Sequence, residues 1–221
     1  MSRVMTVDEL LDGLARWQVE IVKVRRGGVS WREHHRPAST GSFGDMHGIL
    51  NHHTGPFTTV KGMVRVLWEG RSDLAGPLCH VSTAPDGRLF LIGWNGRSNH
   101  AGLGARNVDE ALLVEADPPA PGPDRVDGNA VLYGNEVMHP GNKSKYPDVQ
   151  IEAAVRFNAA VCEHHGWTAN SALMHREWTT RKPDMSWRRP NTGTRFREEV
   201  ARALLVGPEA YHFEDKSAVM R

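Results

Sequence analysis

Apolar residues near the start of the chain recur with the spacing of one face of an amphipathic helix. The stripe consists of Val7, Leu10, Leu11, Leu14 and Trp17. Thr6 stands just before it and Glu9 follows three residues later, which is the pattern of a capping box at a helix N-terminus. The pattern therefore predicts a helix over residues 7–24.

A longer helical period runs over residues 148–165, with its apolar positions on one side. Gly166 follows it directly, and glycine is the usual residue just after a helix end. Residues 60–68 and 195–206 have a similar pattern on a shorter scale. We predict helices at all three places.

Short apolar runs between these helices predict strands. Residues 48–50 lead into Asn51-His52-His53-Thr54, which we interpret as a strand that ends in a functional loop. Runs at 78–83 and 88–92 flank Pro85-Asp86-Gly87, a hairpin signal. Further strands are predicted at 130–137 and at 171–174, the second of which delivers His175 at its end.

One segment, residues 117–128 (DPPAPGPDRVDG), is rich in proline and glycine and is predicted to be a loop without regular structure. Otherwise strands and helices interleave along the chain, which favours an α/β fold with a single mixed central sheet flanked by helices. There is no internal repeat and no long linker. We expect one domain over residues 1–221, with a core at about 44–190 and the helices 7–24 and 195–206 as extensions.

Charge and composition narrow the function classes. The chain has 221 residues, with 27 basic and 26 acidic side chains and a formal charge of +1, which argues against binding nucleic acid or an anionic membrane by bulk charge. The N-terminus lacks a signal-peptide pattern and no apolar run is long enough for a membrane span. We therefore expect synthesis in the cytoplasm, with Cys79 and Cys162 as buried thiols.

Three histidine-containing stretches carry the candidate chemistry: Asn51–Thr54, Ser98–Gly102 and His175–Asp184. A catalytic zinc site has three protein ligands and one open position, and His52, His175 and Asp184 would supply two imidazoles and a carboxylate. Taken alone, a His-His pair is more often a surface or core feature, and Lys-x-Asp is more often part of a salt-bridge region. A second argument is needed.

That argument is the order of the motifs HHTG, RSNHAG and HREWTTRKPDMSW. Together they resemble the zinc amidases of the N-acetylmuramoyl-L-alanine amidase type 2 family, relatives of the peptidoglycan recognition proteins, from about His52 to Trp187. The segments HREW and RKPDMSW resemble segments of endolysins from phages that infect actinobacteria. The resemblance implies a peptidoglycan recognition protein-like fold and a zinc hydrolase that cuts the amide bond between N-acetylmuramic acid and L-alanine of the stem peptide.

The resemblance also implies a role for each residue of the site. His52, His175 and Asp184 correspond to the zinc ligands, Glu136 to a glutamate that acts on the attacking water, and Lys182 to a lysine that faces the scissile carbonyl. The implied partner is the peptidoglycan muropeptide, with no nucleic acid and no membrane, and the implied setting is lysis of the host cell wall by a monomer after its release from the cytoplasm.

Four further positions follow from the resemblance. Asn99 and His100 lie in the loop that lines the family's substrate groove. Asn135, beside Glu136, stands where an apolar residue is usual, and Cys79 stands where some members have a tyrosine near the zinc.

Two alternatives stay open. A non-catalytic peptidoglycan-binding module has the same fold but lacks the third ligand, whereas Asp184 is present. A metal nuclease of the His-Asn-His type would need a compact hairpin-helix module and a basic face, whereas the candidate ligands here are spread over more than half of the chain.

Overall fold

Hydrogen bonding between six short strands builds the central sheet of the computed structural model, which describes residues 2–142, 144–187 and 192–214. The strands of the described chain are β1 (Ile21–Lys23), β2 (Arg25–Arg26), β3 (Val29–Ser30), β4 (Gly48–His53), β5 (Gly70–Arg71), β6 (Leu74–Ala75), β7 (Val81–Thr83), β8 (Leu89–Leu91), β9 (Leu103–Ala105), β10 (Asp124–Asp127), β11 (Leu132–Val137) and β12 (Ala172–Met174). The helices of the same residues are α1 (Val7–Arg16), α2 (Val60–Glu69), α3 (Arg106–Leu113), α4 (Gly128–Val131), α5 (Asp148–His165), α6 (His175–Trp178) and α7 (Thr192–Val206).

The central sheet has the strand order β1-β8-β7-β11-β4-β12. Strands β7, β11, β4 and β12 run parallel to one another, whereas β8 is antiparallel to β7 and β1 is parallel to β8. The predicted mixed α/β sheet flanked by helices is therefore confirmed. No helix in the described part of the chain combines the length and apolarity that crossing a lipid bilayer requires.

The N-terminal helix is shorter than predicted. The capping box of Thr6 and Glu9 is present, but the helix ends at Arg16, and Gln18 adopts a left-handed conformation with φ of 55°. Beyond it, Ile21–Lys23 forms β1, which pairs in parallel with β8. The prediction of a helix to residue 24 was wrong because the β-branched residues of this segment find a distant strand partner that the local period does not reveal.

The proline-rich segment also differs from its prediction. Residues 117–123 have no regular structure, but Asp124–Asp127 forms β10, which pairs antiparallel with β9. The partner strand lies about twenty residues earlier in the sequence, so composition could not reveal it.

Other predicted elements agree closely. The hairpin around Pro85-Asp86-Gly87 joins the antiparallel pair β7 and β8, and α5 spans 148–165 and ends at Gly166 with φ of 68°. The C-terminal helix begins three residues earlier than predicted, at Thr192, and Cys79 and Cys162 are both buried and free. The predicted C-terminal tail lies mostly outside the described residues.

Two layers of apolar side chains enclose the sheet. Helix α5 packs with α1 and α7 on one face, over odd-numbered strand residues such as Ile49 and Tyr133. On the other face α3 and the segment after residue 100 cover Leu50 and Leu132 in a smaller cluster. Because side chains alternate along a strand, His52 shares the second face with Leu50.

A buried network of amide side chains lies between the sheet and α5. Asn158 on α5 and Asn51 on β4 exchange hydrogen bonds of 2.9 Å in both directions, and Asn135 on β11 donates to Asn51 at 3.0 Å. The hydroxyl of Thr83 on β7 donates to Asn135 at 3.0 Å. The network thus joins three neighbouring strands to the helix and favours one register between them, because a shifted register would leave buried amides without partners.

We expect Asn158→Ala to lower the free energy of unfolding by about 1–3 kcal/mol, because it removes both hydrogen bonds between Asn158 and Asn51 and leaves one N–H of the buried Asn51 amide without a partner. Asn107→Ala is the matched control, since the amide of Asn107 is also hydrogen-bonded, but to backbone groups of Ala120 and Gly122 near the surface. Urea unfolding measures both variants. Equal losses would contradict a special role for the buried network.

Candidate metal centre

The candidate site lies where parallel strands of the central sheet end. In the pairing of β11 with β4, Glu136 stands opposite His52, and His175 follows directly after β12, the other neighbour of β4. Carboxyl ends of parallel strands meet at one edge of a sheet, where open α/β folds place their ligands. Three residues far apart in sequence thereby come to one place.

Side chains of His52, His175 and Asp184 point their donor atoms at a common point. Nδ1 of His52 lies 2.9 Å from Nδ1 of His175 and 3.4 Å from Oδ2 of Asp184. Nδ1 of His175 lies 3.0 Å from the same carboxylate oxygen. Among the described residues, this is the one group of three or more such side chains that could hold a metal ion.

The donor set fits a tetrahedral zinc ion. Zinc binds imidazole nitrogen and carboxylate oxygen at about 2.0–2.2 Å, so that two ligand atoms of a tetrahedral site lie roughly 3.3 Å apart. The three separations, 2.9, 3.0 and 3.4 Å, lie within about 0.4 Å of that value. Two ring nitrogens that face each other at 2.9 Å cannot bond well without a proton or a cation between them, so the arrangement is suited to a shared ion.

Electrostatics place two of the candidate ligands, His52 and Asp184, in the protonation states that a metal requires. Burial lowers the pKa of His52 to about 4, an effect that the charge of His175 increases and the Asp184 carboxylate opposes. Burial acts to raise the pKa of Asp184, but hydrogen bonds to His175 and His52 outweigh it and hold that pKa below its ordinary value. Near neutral pH the cluster therefore offers a neutral His52 ring and an ionised carboxylate.

Local contacts fix His175 and Asp184, the two candidate ligands that follow β12. Glu177 accepts a hydrogen bond from the N–H of Met174 at 3.0 Å, which caps the short helix that begins at His175. Both carboxylate oxygens of Glu177 lie 2.9 Å from the guanidinium of Arg197 on α7. The N–H of Arg176 donates to the carbonyl of Asp184 at 2.6 Å. This backbone hydrogen bond holds the segment that carries Asp184 next to the start of α6, where His175 lies.

Glu136 and Lys182 complete the predicted catalytic group. Burial raises the pKa of Glu136 well above its usual range, the charge of Asp184 adds to this effect, and the charges of Lys182 and Arg71 oppose it. The buried Oε2 of Glu136 has no hydrogen-bond partner, so it is free to receive one. The side chain of Lys182 is exposed, and its charge acts on both His52 and Glu136.

Asn99 and His100, the predicted substrate-binding pair, make bonds within the protein. Asn99 donates from its side chain to the carbonyl of Ala75 at 2.7 Å. His100 lies between His52 and the carbonyl of Leu132, 3.2 Å and 3.1 Å from its two ring nitrogens. Their role with substrate stays a prediction. The contact between His100 and His52 was not predicted from the sequence, because no motif with a fixed spacing links two residues that lie 48 positions apart.

Cys79 and the tryptophans belong to the interior. Burial raises the pKa of the Cys79 thiol well above its usual range, and the nearby charge of Glu136 adds to the effect. Trp94, Trp178 and Trp187 are each no more than 5% exposed, so their rings pack in the core and none presents a broad face to a sugar.

Comparison with known proteins agrees with this geometry. Residues 42–187, about two thirds of the chain, match the family model described as N-acetylmuramoyl-L-alanine amidase (Amidase_2). That range contains every residue of the candidate centre. No curated protein sequence is similar enough to count as a match.

The chain is also similar to several solved structures, at low sequence identity. A selenomethionine derivative of AmpD is 16% identical, with a TM-score of 0.50 over 81% of this chain and 93% of that chain. The endolysine amidase LysCS from Clostridium intestinale URNW is 16% identical, with a TM-score of 0.49 over 82% and 95%. AmiD from E. coli, solved with anhydro-N-acetylmuramic acid-L-Ala-D-gamma-Glu-L-Lys, is 13% identical, with a TM-score of 0.47 over 73% and 60%.

We expect His52→Ala, His175→Ala and Asp184→Ala each to reduce bound zinc from about one ion per chain to near zero, because three ligands are the minimum of such a site. Metal analysis after dialysis measures the loss, with circular dichroism as the check on folding. His212→Ala is the control, since that side chain is 71% exposed. Full zinc content in the Asp184 variant would contradict the ligand set.

Proposed function

The chain belongs to the N-acetylmuramoyl-L-alanine amidase family, and from this premise we propose that it is a zinc-dependent hydrolase of peptidoglycan. Its target is the amide bond between N-acetylmuramic acid and the L-alanine that begins the stem peptide. The observation that carries the proposal is the convergence of two Nδ1 atoms and one carboxylate oxygen within 2.9–3.4 Å of one another. A recognition module without catalysis would have no need of that third ligand.

His52, His175 and Asp184 would hold the ion. When bound there, zinc lowers the pKa of a coordinated water to roughly 7 and polarises a carbonyl oxygen. These three residues would hold the ion at the strand ends, where Glu136 stands opposite His52 on the neighbouring strand.

Glu136 would act as the general base and then the general acid. Its unpartnered Oε2 accepts a proton from the attacking water as the new C–O bond forms at the amide carbon. The same proton passes to the amide nitrogen as the C–N bond breaks, so that a free amine leaves. The raised pKa of Glu136 suits this return, because a weaker acid holds the proton until the leaving group needs it.

Lys182 would stabilise the negative charge that develops on the carbonyl oxygen. Its positive charge already acts on His52 and Glu136 across the site. It also opposes the rise in the pKa of Glu136, so removal of Lys182 would reduce the ionised fraction of the base as well. Both effects lower the rate without removing a metal ligand.

The biological setting that fits is lysis of a bacterial host by a phage enzyme. Support comes from the HREW and RKPDMSW phrases and their likeness to endolysins of phages that infect actinobacteria. In this proposal the protein is a monomer made in the cytoplasm, and it reaches the muropeptide of the wall only after release.

Mass spectrometry of digested actinobacterial peptidoglycan tests the reaction. Free stem peptides that begin with L-alanine are expected, together with intact glycan strands, and their release should stop with a chelator and resume with added zinc. Shortened glycans or cut cross-bridges as the products would overturn the assignment.

We expect Glu136→Gln to keep zinc and fold while turnover falls by about 10²–10⁴-fold, the usual contribution of a general acid–base. Lys182→Ala should cost about 10²–10³-fold, as the loss of one donor to an oxyanion does. Lys23→Ala is the control, because Lys23 lies on β1 at the far edge of the sheet. Wild-type turnover in the Glu136 variant would remove that residue from the mechanism.

A further inference from the structure

A chain of hydrogen bonds runs from the backbone of β11 to the ring of His52. The carbonyl oxygen of Leu132 lies 3.1 Å from Nε2 of His100, and Nδ1 of His100 lies 3.2 Å from Nε2 of His52. A carbonyl oxygen can only accept, so Nε2 of His100 must carry the hydrogen. In the neutral ring Nδ1 of His100 is then an acceptor, and Nε2 of His52 must be the donor.

This order of donors leaves His52 with one possible tautomer. Its hydrogen sits on Nε2, and its lone pair sits on Nδ1, the atom that faces His175 and Asp184. The opposite tautomer would place a hydrogen on the metal side of the ring and two acceptors against each other on the His100 side. Ligand histidines in proteins are commonly oriented in this way through their second ring nitrogen.

The same loop also forms a hydrogen bond with the second imidazole, that of His175. Nε2 of His175 lies 3.3 Å from the carbonyl oxygen of Ala101, the residue after His100. A carbonyl partner again requires the hydrogen on Nε2 and leaves Nδ1 for the metal. One loop therefore holds both ligand rings from outside the site.

Asn129 holds that loop in place. Its side-chain oxygen accepts hydrogen bonds from the N–H groups of His100 and Ala101 at 2.9 Å each and from Gly102 at 3.4 Å. The ring of His100 also lies against Gly134 of β11, where an added Cβ would come within 2.6 Å of it. The ring is thus confined by the strand that also carries Glu136.

We propose that His100 is a positioning residue that fixes His52 in the metal-binding tautomer, on a loop clamped by Asn129 that orients His175 through Ala101. The inference rests on the zinc site of the proposed function. It differs from the predicted contact with substrate, because both ring nitrogens of His100 are engaged inside the protein.

Three substitutions of His100 separate its two hydrogen bonds. His100→Asn keeps an acceptor near the position of Nδ1, His100→Gln keeps a donor near the position of Nε2, and His100→Phe keeps neither. We expect His100→Phe to weaken zinc binding by about 10–100-fold. Asn should restore most of the affinity and Gln should restore little, because the Asn amide lies near the position of Nδ1, where it can accept from His52, whereas the Gln amide lies near the position of Nε2.

Competition with a chromophoric chelator gives the zinc Kd of each variant, and the visible spectrum of the cobalt-substituted protein reports the ligand geometry. His47→Asn is the matched control: that half-buried ring lies just before β4 and pairs with Asp109 at 2.7 Å instead of with a ligand. We expect a wild-type Kd and spectrum for this control. If His100 had only a structural role, its variants would lower the thermal stability, and their zinc affinities would not follow whether the new side chain offers an acceptor to His52.

Outcomes separate this inference from the proposed function. If the wild-type protein binds no zinc, the metal site itself fails and the inference falls with it. If the wild type binds zinc and His100→Phe binds it equally tightly, the positioning role alone is wrong. Should His100→Phe fail to fold, the Asn and Gln pair decides, and equal affinities for the two would overturn the proposal.

Discussion

The parallel pairing of β4 with β11 and β12 is the constraint on which the site depends. It sets His52 opposite Glu136 and brings the start of α6, with His175, to the same edge of the sheet. A shift of one residue in either ladder would turn the His52 or Glu136 side chain to the opposite face. The buried amides of Asn51 and Asn135 oppose such a shift, because their partners exist in one register only.

Burial acts on this site in two directions at once. Removal from water lowers the pKa of His52 and so keeps its ring neutral and available to a cation, and it also raises the pKa of the Glu136 carboxyl. Hydrogen-bond partners decide which of the two carboxyl groups has a raised pKa. Asp184 has two imidazole partners and stays ionised, whereas Oε2 of Glu136 has no hydrogen-bond partner. Two acidic groups at the same edge of the sheet therefore have pKa values shifted in opposite directions, and the difference comes from the groups that surround each of them.

The polar residue beside Glu136, Asn135, is visible in the sequence, but only the structure explains why it is polar. Asn135 stands where the resemblance implies an apolar residue. The structure supplies the reason for the amide: Asn135 faces away from the site, donates to Asn51 and accepts from Thr83. A local pattern cannot show this, because the partners lie 52 and 84 residues away.

By itself the sequence determined the local elements and the identity of the chemical groups. The period of α5, its end at Gly166 and the hairpin turn at Pro85-Asp86-Gly87 are set by interactions within a few residues, so they could be predicted. Only the tertiary structure decided that α1 ends at Arg16 and that His100 contacts His52, because both depend on partners far along the chain. Ordered motifs could name the three candidate ligands, but the common point of their donor atoms exists only once parallel strands bring them together.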